Sequence, residues 1–202
     1  MFSLRDLLDQ YNKEQVSILI SQFESSKNPD VSRFLKEKSI RFEQSDKSRT
    51  YLLVPEENIL NENGSINILG YFTLAQKHMQ LPQEISKSKR KKYDGINNKA
   101  TDINCYLIGQ LGKNDKYKKV INGKEVLEQA INIIQKCSEY VGGRTILVEC
   151  ENKEPLKKFY TNNNFEYLST DEVTGLLQYI LPLNKTKFVK SDEISNHLQI
   201  GC

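Results

Sequence analysis

Several residue types and patterns are scarce in this chain of 202 residues, and each scarcity removes a class of function. Histidine occurs only at His78 and His197, far apart and without an acidic companion pattern. A histidine-rich metal centre or a Ser-His-Asp engine therefore has little to be built from. The four cysteines, Cys105, Cys137, Cys150 and Cys202, lack the close spacing of zinc and redox motifs and read as reduced, structural thiols. No apolar run approaches the roughly 20 residues of a membrane span. The best, residues 175–183 (GLLQYILPL), has the length of a strand. Asp6 and Asp9 break the opening MFSLRDLLDQ where a signal peptide needs an apolar core, so a cytoplasmic protein is expected. Charge of one sign is also short. Lys and Arg total 29 against 26 Asp and Glu, and a net +3 is too mild to mark the whole chain as a nucleic-acid binder. Internal repeats are absent.

What is present is a soluble-domain composition, 38% hydrophobic and 27% charged, at a length that suits one domain over residues 1–183 followed by a polar tail, 184–202. Residues 31–45 place Phe34, Leu35, Lys38 and Phe42 near one helical face, with Asp30 as N-cap after Pro29. Residues 49–55 and 66–75 read as two strands, and the Asn- and Gly-containing connection 58–64 suits an antiparallel hairpin. Residues 102–111 form a third strand, followed by a lysine-rich loop, 112–122. Leu127, Ala130, Ile131, Ile134 and Val141 then mark a long helix over 123–140. Residues 144–150 read as a buried strand, 154–162 as a short helix with Pro155 in its first turn, and 165–168 with 175–183 as a closing hairpin. Strand, loop, helix, strand, helix, strand, strand is an α/β order in which a crossover helix joins two parallel strands.

Residues 106–123 (YLIGQLGKNDKYKKVING), the helix after them and residues 147–167 (LVECENKEPLKKFYTNNNFEY) together resemble the acetyl-CoA-binding core of the GNAT acetyltransferase superfamily. There, a strand ends in a loop with the pattern Gln/Arg-x-x-Gly-x-Gly/Ala, and a helix begins at once. A second strand leads to a short helix ending in Phe-Tyr and a strand opening with Gly-Phe. Phe159-Tyr160 and Asn164-Phe165 stand in those places here. The resemblance implies a mixed central sheet with a splayed pair of parallel strands, flanking helices, and acetyl-CoA as acetyl donor.

Backbone N–H groups at a helix N-terminus, helped by the helix dipole, suit the coenzyme A pyrophosphate. The residues expected to hold the donor are Leu111, Gly112, Lys113, Lys118, Lys119, Val120, Ile121, Asn122, Gly123 and Lys124. The loop departs from the family pattern: Lys118 replaces the usual Gln/Arg, Ile121 stands where the inner glycine belongs, and Gly123 alone survives. Lys118, Lys119 and Lys124 could substitute charge for lost backbone contacts, with a cost in salt sensitivity. Backbone N–H near Leu111 or Gly112 is the candidate oxyanion donor, Gly112 letting a ligand approach.

By resemblance Tyr160 is the catalytic residue, a phenol placed to give a proton or a hydrogen bond to the departing thiolate. A tyrosine at a helix end can equally serve packing alone. Glu149 and Glu151 flank Cys150 as candidate bases, direct or through water, though carboxylates at strand ends are usually only solvated.

Residues 31–39, 48–54, 68–75 and 105–111 also look like the bacterial GNAT branch that includes toxins acetylating aminoacyl-tRNA. The branch strand Leu-Gly-Arg-Leu-Ala-Val stands here as Ile108-Gly109-Gln110-Leu111-Gly112-Lys113. This implies two candidate acceptors, a primary amine on a small molecule or protein and an aminoacyl-tRNA. It also implies a small inhibitory protein partner, and leaves the oligomeric state open, a dimer included. Residues 87–92 (KSKRKK), with Lys116, Lys118 and Lys119, are the candidate phosphate contacts, and a solvated charged face is the competing reading. A GNAT fold that binds without transferring, and a basic RNA-binding domain, remain as alternatives.

Overall fold

The computed structural model describes residues 1–183. Seven strands form one sheet: β1 (Phe2–Ser3), β2 (Arg49–Leu53), β3 (Gly70–Gln80), β4 (Asp102–Lys113), β5 (Thr145–Cys150), β6 (Glu166–Thr170) and β7 (Leu177–Pro182). Their order is β1-β2-β3-β4-β5-β7-β6, and every neighbouring pair is antiparallel except β4 and β5. The crossover between those two is the helix α6 (Gly123–Val141), which buries Val126, Leu127, Ala130 and Ile134 against one sheet face. Val141, expected on that stripe, lies at the helix end and is 72% exposed.

Ahead of β2 come α1 (Leu4–Gln10), α2 (Lys13–Leu19), α3 (Pro29–Arg33) and α4 (Ser39–Gln44). The first two carry reciprocal caps, Ser3 with Asp6 and Asn12 with Gln15, which satisfy orphan N–H groups of short helices. α3 and α4 are one continuous rod, joined by a π turn at Phe34–Lys38. Its N-cap is Asn28, and Asp30 lies inside the first turn paired with Arg33, which corrects the expected cap by two residues.

The expected hairpin of β2 and β3 is present, but β3 starts at Gly70 rather than residue 66. The Ile66 N–H donates to Leu19 O and the Asn67 N–H to Ile59 O, so this stretch follows α2 and its own loop into a second core. α5 (Lys87–Asp94), capped by the Ser86 hydroxyl, covers the other sheet face with Tyr93 buried beneath it. α7 (Glu154–Asn162) follows β5, with Pro155 in its first turn as expected. Asn164, standing where the family has glycine, takes a φ of +66°, a conformation asparagine tolerates better than most side chains. The polar tail lies outside the described residues.

Candidate active site

β4 and β5 pair only at Tyr106–Ile146, Leu107–Leu147 and Ile108–Val148. Beyond that point β4 stays with β3 to Lys113, and β5 stays with β7 to Cys150, so the parallel pair opens into a V. A bulge accounts for the opening. Thr73 faces Gln110 and Leu74 faces Ile108, which leaves Gly109 as the extra residue that bends β4 away. A Cβ on Gly109 would stand 3.2 Å from the Thr73 hydroxyl.

The V holds a cleft of about 260 Å³ between Gly109–Leu111 on β4, Glu149–Glu151 at the end of β5, and Leu156 and Tyr160 on α7, with Asp30 and Val31 at its mouth. Leu111 lines it. Gly112 does not, and its missing side chain has another purpose: a Cβ there would meet Val31 Cγ1 at 2.4 Å. The glycine that opens the sheet is Gly109, a signal available in the sequence as a glycine inside a strand.

Tyr160 is packed edge-on against Phe159 and Phe165 and beside Tyr179. Burial, and next the neighbouring Cys150, push its phenol far above the ordinary range, so it is protonated at any working pH. Burial likewise pushes the Cys150 thiol up to about 11 and the Cys105 thiol up to about 12. Both are reduced and inert as nucleophiles. Glu149 is held by three hydrogen bonds. Lys77 Nζ donates to both carboxylate oxygens at 2.7 Å, and Gln178 Nε2 donates to Oε1 at 2.9 Å. Glu151 pairs with Lys153 at 2.6 Å.

The remaining expected donor-binding residues gather around the start of α6 rather than in the V. Lys113 Nζ donates to the carbonyls of Lys118 and Ile121 at 3.4 and 3.5 Å, folding the loop back on its strand. Val120 and Ile121 N–H groups are turned inward onto Tyr117 O. Asn122 caps α6 in a reciprocal box with Glu125, whose carboxylate takes the Asn122 N–H at 3.0 Å. Gly123 and Lys124 therefore carry the N–H groups left over at this helix start, and Glu125 places a negative charge beside them. Gly123 lies against the Phe159 ring, 3.3 Å from where a Cβ would be, which couples the loop to α7 and Tyr160. Lys118 pairs with Asp115 and Lys124 with Glu128, and Lys119 has no ion pair among the described residues.

The basic run 87–92 is mostly committed to structure. Arg90 ties the carbonyls of Pro82, Gln83, Ile85 and Ala100, while Lys89 and Lys92 pair with Glu166. Lys87 and Lys91 are the lysines of the run without an ion pair among the described residues. Those residues contain no group of three candidate metal ligands, and no helix among them is long and apolar enough to cross a membrane.

No protein-family model and no curated protein matches the chain. Solved structures do. AtaT complexed with acetyl-methionyl-tRNAfMet is 22% identical, with a TM-score of 0.62 over 81% of this chain and 86% of that one. A tyrosine-to-phenylalanine variant of KacT is 24% identical, with a TM-score of 0.61 over 83% and 89%. AtaTR bound with acetyl-CoA is 20% identical, with a TM-score of 0.60 over 81% and 86%. The splayed β4–β5 pair, the crossover helix between them and this likeness to the toxin structures agree: the chain has the GNAT fold.

Proposed function

We propose that this protein is an acetyl-CoA-dependent N-acetyltransferase that passes the acetyl group directly, in a ternary complex, to a primary amine, and that the amine belongs to an aminoacyl-tRNA. The observation that carries the proposal is the V between β4 and β5 with a protonated Tyr160 inside it. Pantetheine amides can pair with the unpartnered β4 edge as a strand would, bringing the thioester to the open end. The N–H groups of Gly109–Leu111 are the nearest backbone donors for the oxyanion. The neutral amine attacks the thioester carbon, a C–N bond forms, and the C–S bond breaks. Tyr160 gives its proton to the departing sulfur and is restored by the proton shed from nitrogen. Desolvation that raises the phenol also raises the thiol, which keeps the two matched.

Glu149 is the better placed of the two candidate bases, since Lys77 and Gln178 hold its carboxylate at the cleft wall. Lys119, Lys118 and the N–H groups of Gly123 and Lys124 would take the pyrophosphate once Glu125 swings aside. The tRNA and antitoxin AtaR that accompany AtaT in its structures support an aminoacyl-tRNA acceptor and a small inhibitory protein partner. Glu125 at the helix start favours a second reading, a GNAT fold that binds partners without transferring.

Isothermal titration with acetyl-CoA, followed by transfer of labelled acetyl to charged tRNA, tests the proposal. Binding with thiol release that Tyr160→Phe abolishes is expected. Absence of binding at millimolar acetyl-CoA would sink the enzyme, and binding without thiol release would leave the second reading in its place.

A further inference from the structure

Next to the cleft is a second hollow of about 420 Å³, and the two share Leu107, Gly109 and Gln110. Phe34 and Phe42 form its outer wall, edge to face at 5.3 Å and 74°, both half-buried. They stand eight positions apart, which in an unbroken α-helix would leave them about 80° out of line. The π turn at Phe34–Lys38 absorbs one residue, so the pair is spaced like positions i and i+7 and falls within ~20° of one line. The irregular turn is what builds the aromatic wall.

The floor is Ala75, Leu107 and Gly109 of the sheet. Cations occupy the rim: Arg41 and Lys47 each sit 5.8 Å from the Phe42 ring centre. Among the described residues, no free acid lines either hollow. The carboxylates lining the two hollows are Asp30, Glu149 and Glu151, and they are taken by Arg33, Lys77 and Lys153. A polycationic acceptor, such as a polyamine or a lysine-rich peptide, would find two cations and no open carboxylate. An amine with an apolar group beside it and phosphates beyond it finds a ring pair, the apolar Ala75–Leu107 floor edged by Ser48, Thr73 and Gln76, and positive charge at the exit.

Resting on the function proposed above, we infer that this hollow seats the acceptor's side chain and selects aminoacyl groups with apolar side chains of leucine to phenylalanine size. The ester and the terminal phosphates of the tRNA then lie toward Lys47 and Arg41. The α-amine enters the cleft over Gly109 and Gln110, where the two hollows meet. A third ring or a methionine thioether adds to the Phe34–Phe42 pair without displacing it.

The test uses the full chain, labelled acetyl-CoA, and tRNAs charged with phenylalanine, methionine, leucine, glycine, aspartate or lysine. The apolar three are expected to exceed the others at least tenfold in kcat/KM, the range a hydrophobic pocket can deliver. Phe34→Ala should raise the acceptor KM about tenfold with acetyl-CoA affinity unchanged. Ala75→Leu, which truncates nothing, should fill the floor and turn preference toward glycyl-tRNA. Equal rates across the panel, or an Ala75→Leu protein that still prefers large apolar groups, overturn the seat and leave acetyl transfer standing. Acetyl-CoA binding with no transfer to any of the six overturns the aminoacyl-tRNA reading as well.

Discussion

The two halves of the molecule solve different problems with different materials. Residues from β4 onward build a regular layer, with α6 and α7 laid on one face of β4, β5 and β7 around Ile108, Ile134, Ile146 and Val148. Residues before β4 use short capped helices around Leu4, Ile20, Phe23, Leu35 and Tyr71. Their rigidity comes partly from a buried acid. Glu43 has a side chain 1% exposed and accepts the Thr50 N–H at 2.8 Å, while Arg5 and Arg49 bridge it to Asp46. Burial raises its pKa, and Thr50 and the two arginines oppose that rise. In the proposed reaction the regular half would position the donor and the irregular half would face the acceptor. They touch where Val31 fills the space over Gly112 and where Ser26 N–H reaches Asp115 at 2.6 Å. The cleft opens at that seam.

The sharpest way to separate the halves is Tyr160→Phe. It should lower kcat for acetyl transfer about a hundredfold, equivalent to ~2.7 kcal/mol, without moving the acetyl-CoA Kd or the melting temperature. The matching lesion in the other half is Glu43→Ala, which strands the Thr50 N–H and two arginines. We expect a loss of about 2 kcal/mol in urea unfolding, limited by the wet faces of both arginines. A smaller change attacks the seam: Gly112→Ala forces a methyl into Val31 and should cost about 1.5 kcal/mol, most of it recovered in the Gly112→Ala, Val31→Ala double variant. If the double variant is no more stable than the single, the seam is not where the halves are joined.

The smallest expected effect depends on pH. Hydrogen bonds from Ser26, with help from Lys118, hold the Asp115 carboxyl at about 2, below its unfolded value of ~3.9. A depressed carboxylate stabilises the fold above about pH 4 and loses that contribution as pH falls toward 2. Melting temperatures of the parent and of Asp115→Asn should therefore differ at pH 6 and converge near pH 2. A gap that persists at pH 2 would place Asp115 outside this linkage.

The sequence was a good guide to the regular half. The alternation of strands with helical periodicity set its element order, and Phe159-Tyr160 located the catalytic candidate on α7. Its caps and bends were harder to see. The π turn arises from the fit of a rod on a sheet, and no local propensity encodes it, while the bulge in β4 leaves in the sequence only the trace of a glycine inside a strand, Gly109. At Gly112 the sequence shows a glycine without showing that Val31 fills the space where its side chain would be. The Asn122–Glu125 box was readable in principle, since Asn followed three residues later by an acid is a helix-start pattern, and so were the caps at Ser3 and Asn12. For the basic run at 87–92, charge counted along the chain does not reveal that Arg90 is spent on four carbonyls.

A π turn is, in effect, an α-helix carrying one residue too many. Its removal by a single-codon deletion between Phe34 and Lys38 would leave a regular helix in which Phe34 and Phe42 stand at i and i+7, still within ~20° of one line. The aromatic wall therefore survives the loss of that one residue, whereas winding the same residues into a regular helix would turn Phe42 about 80° away from Phe34 without touching Tyr160 or the β4–β5 opening.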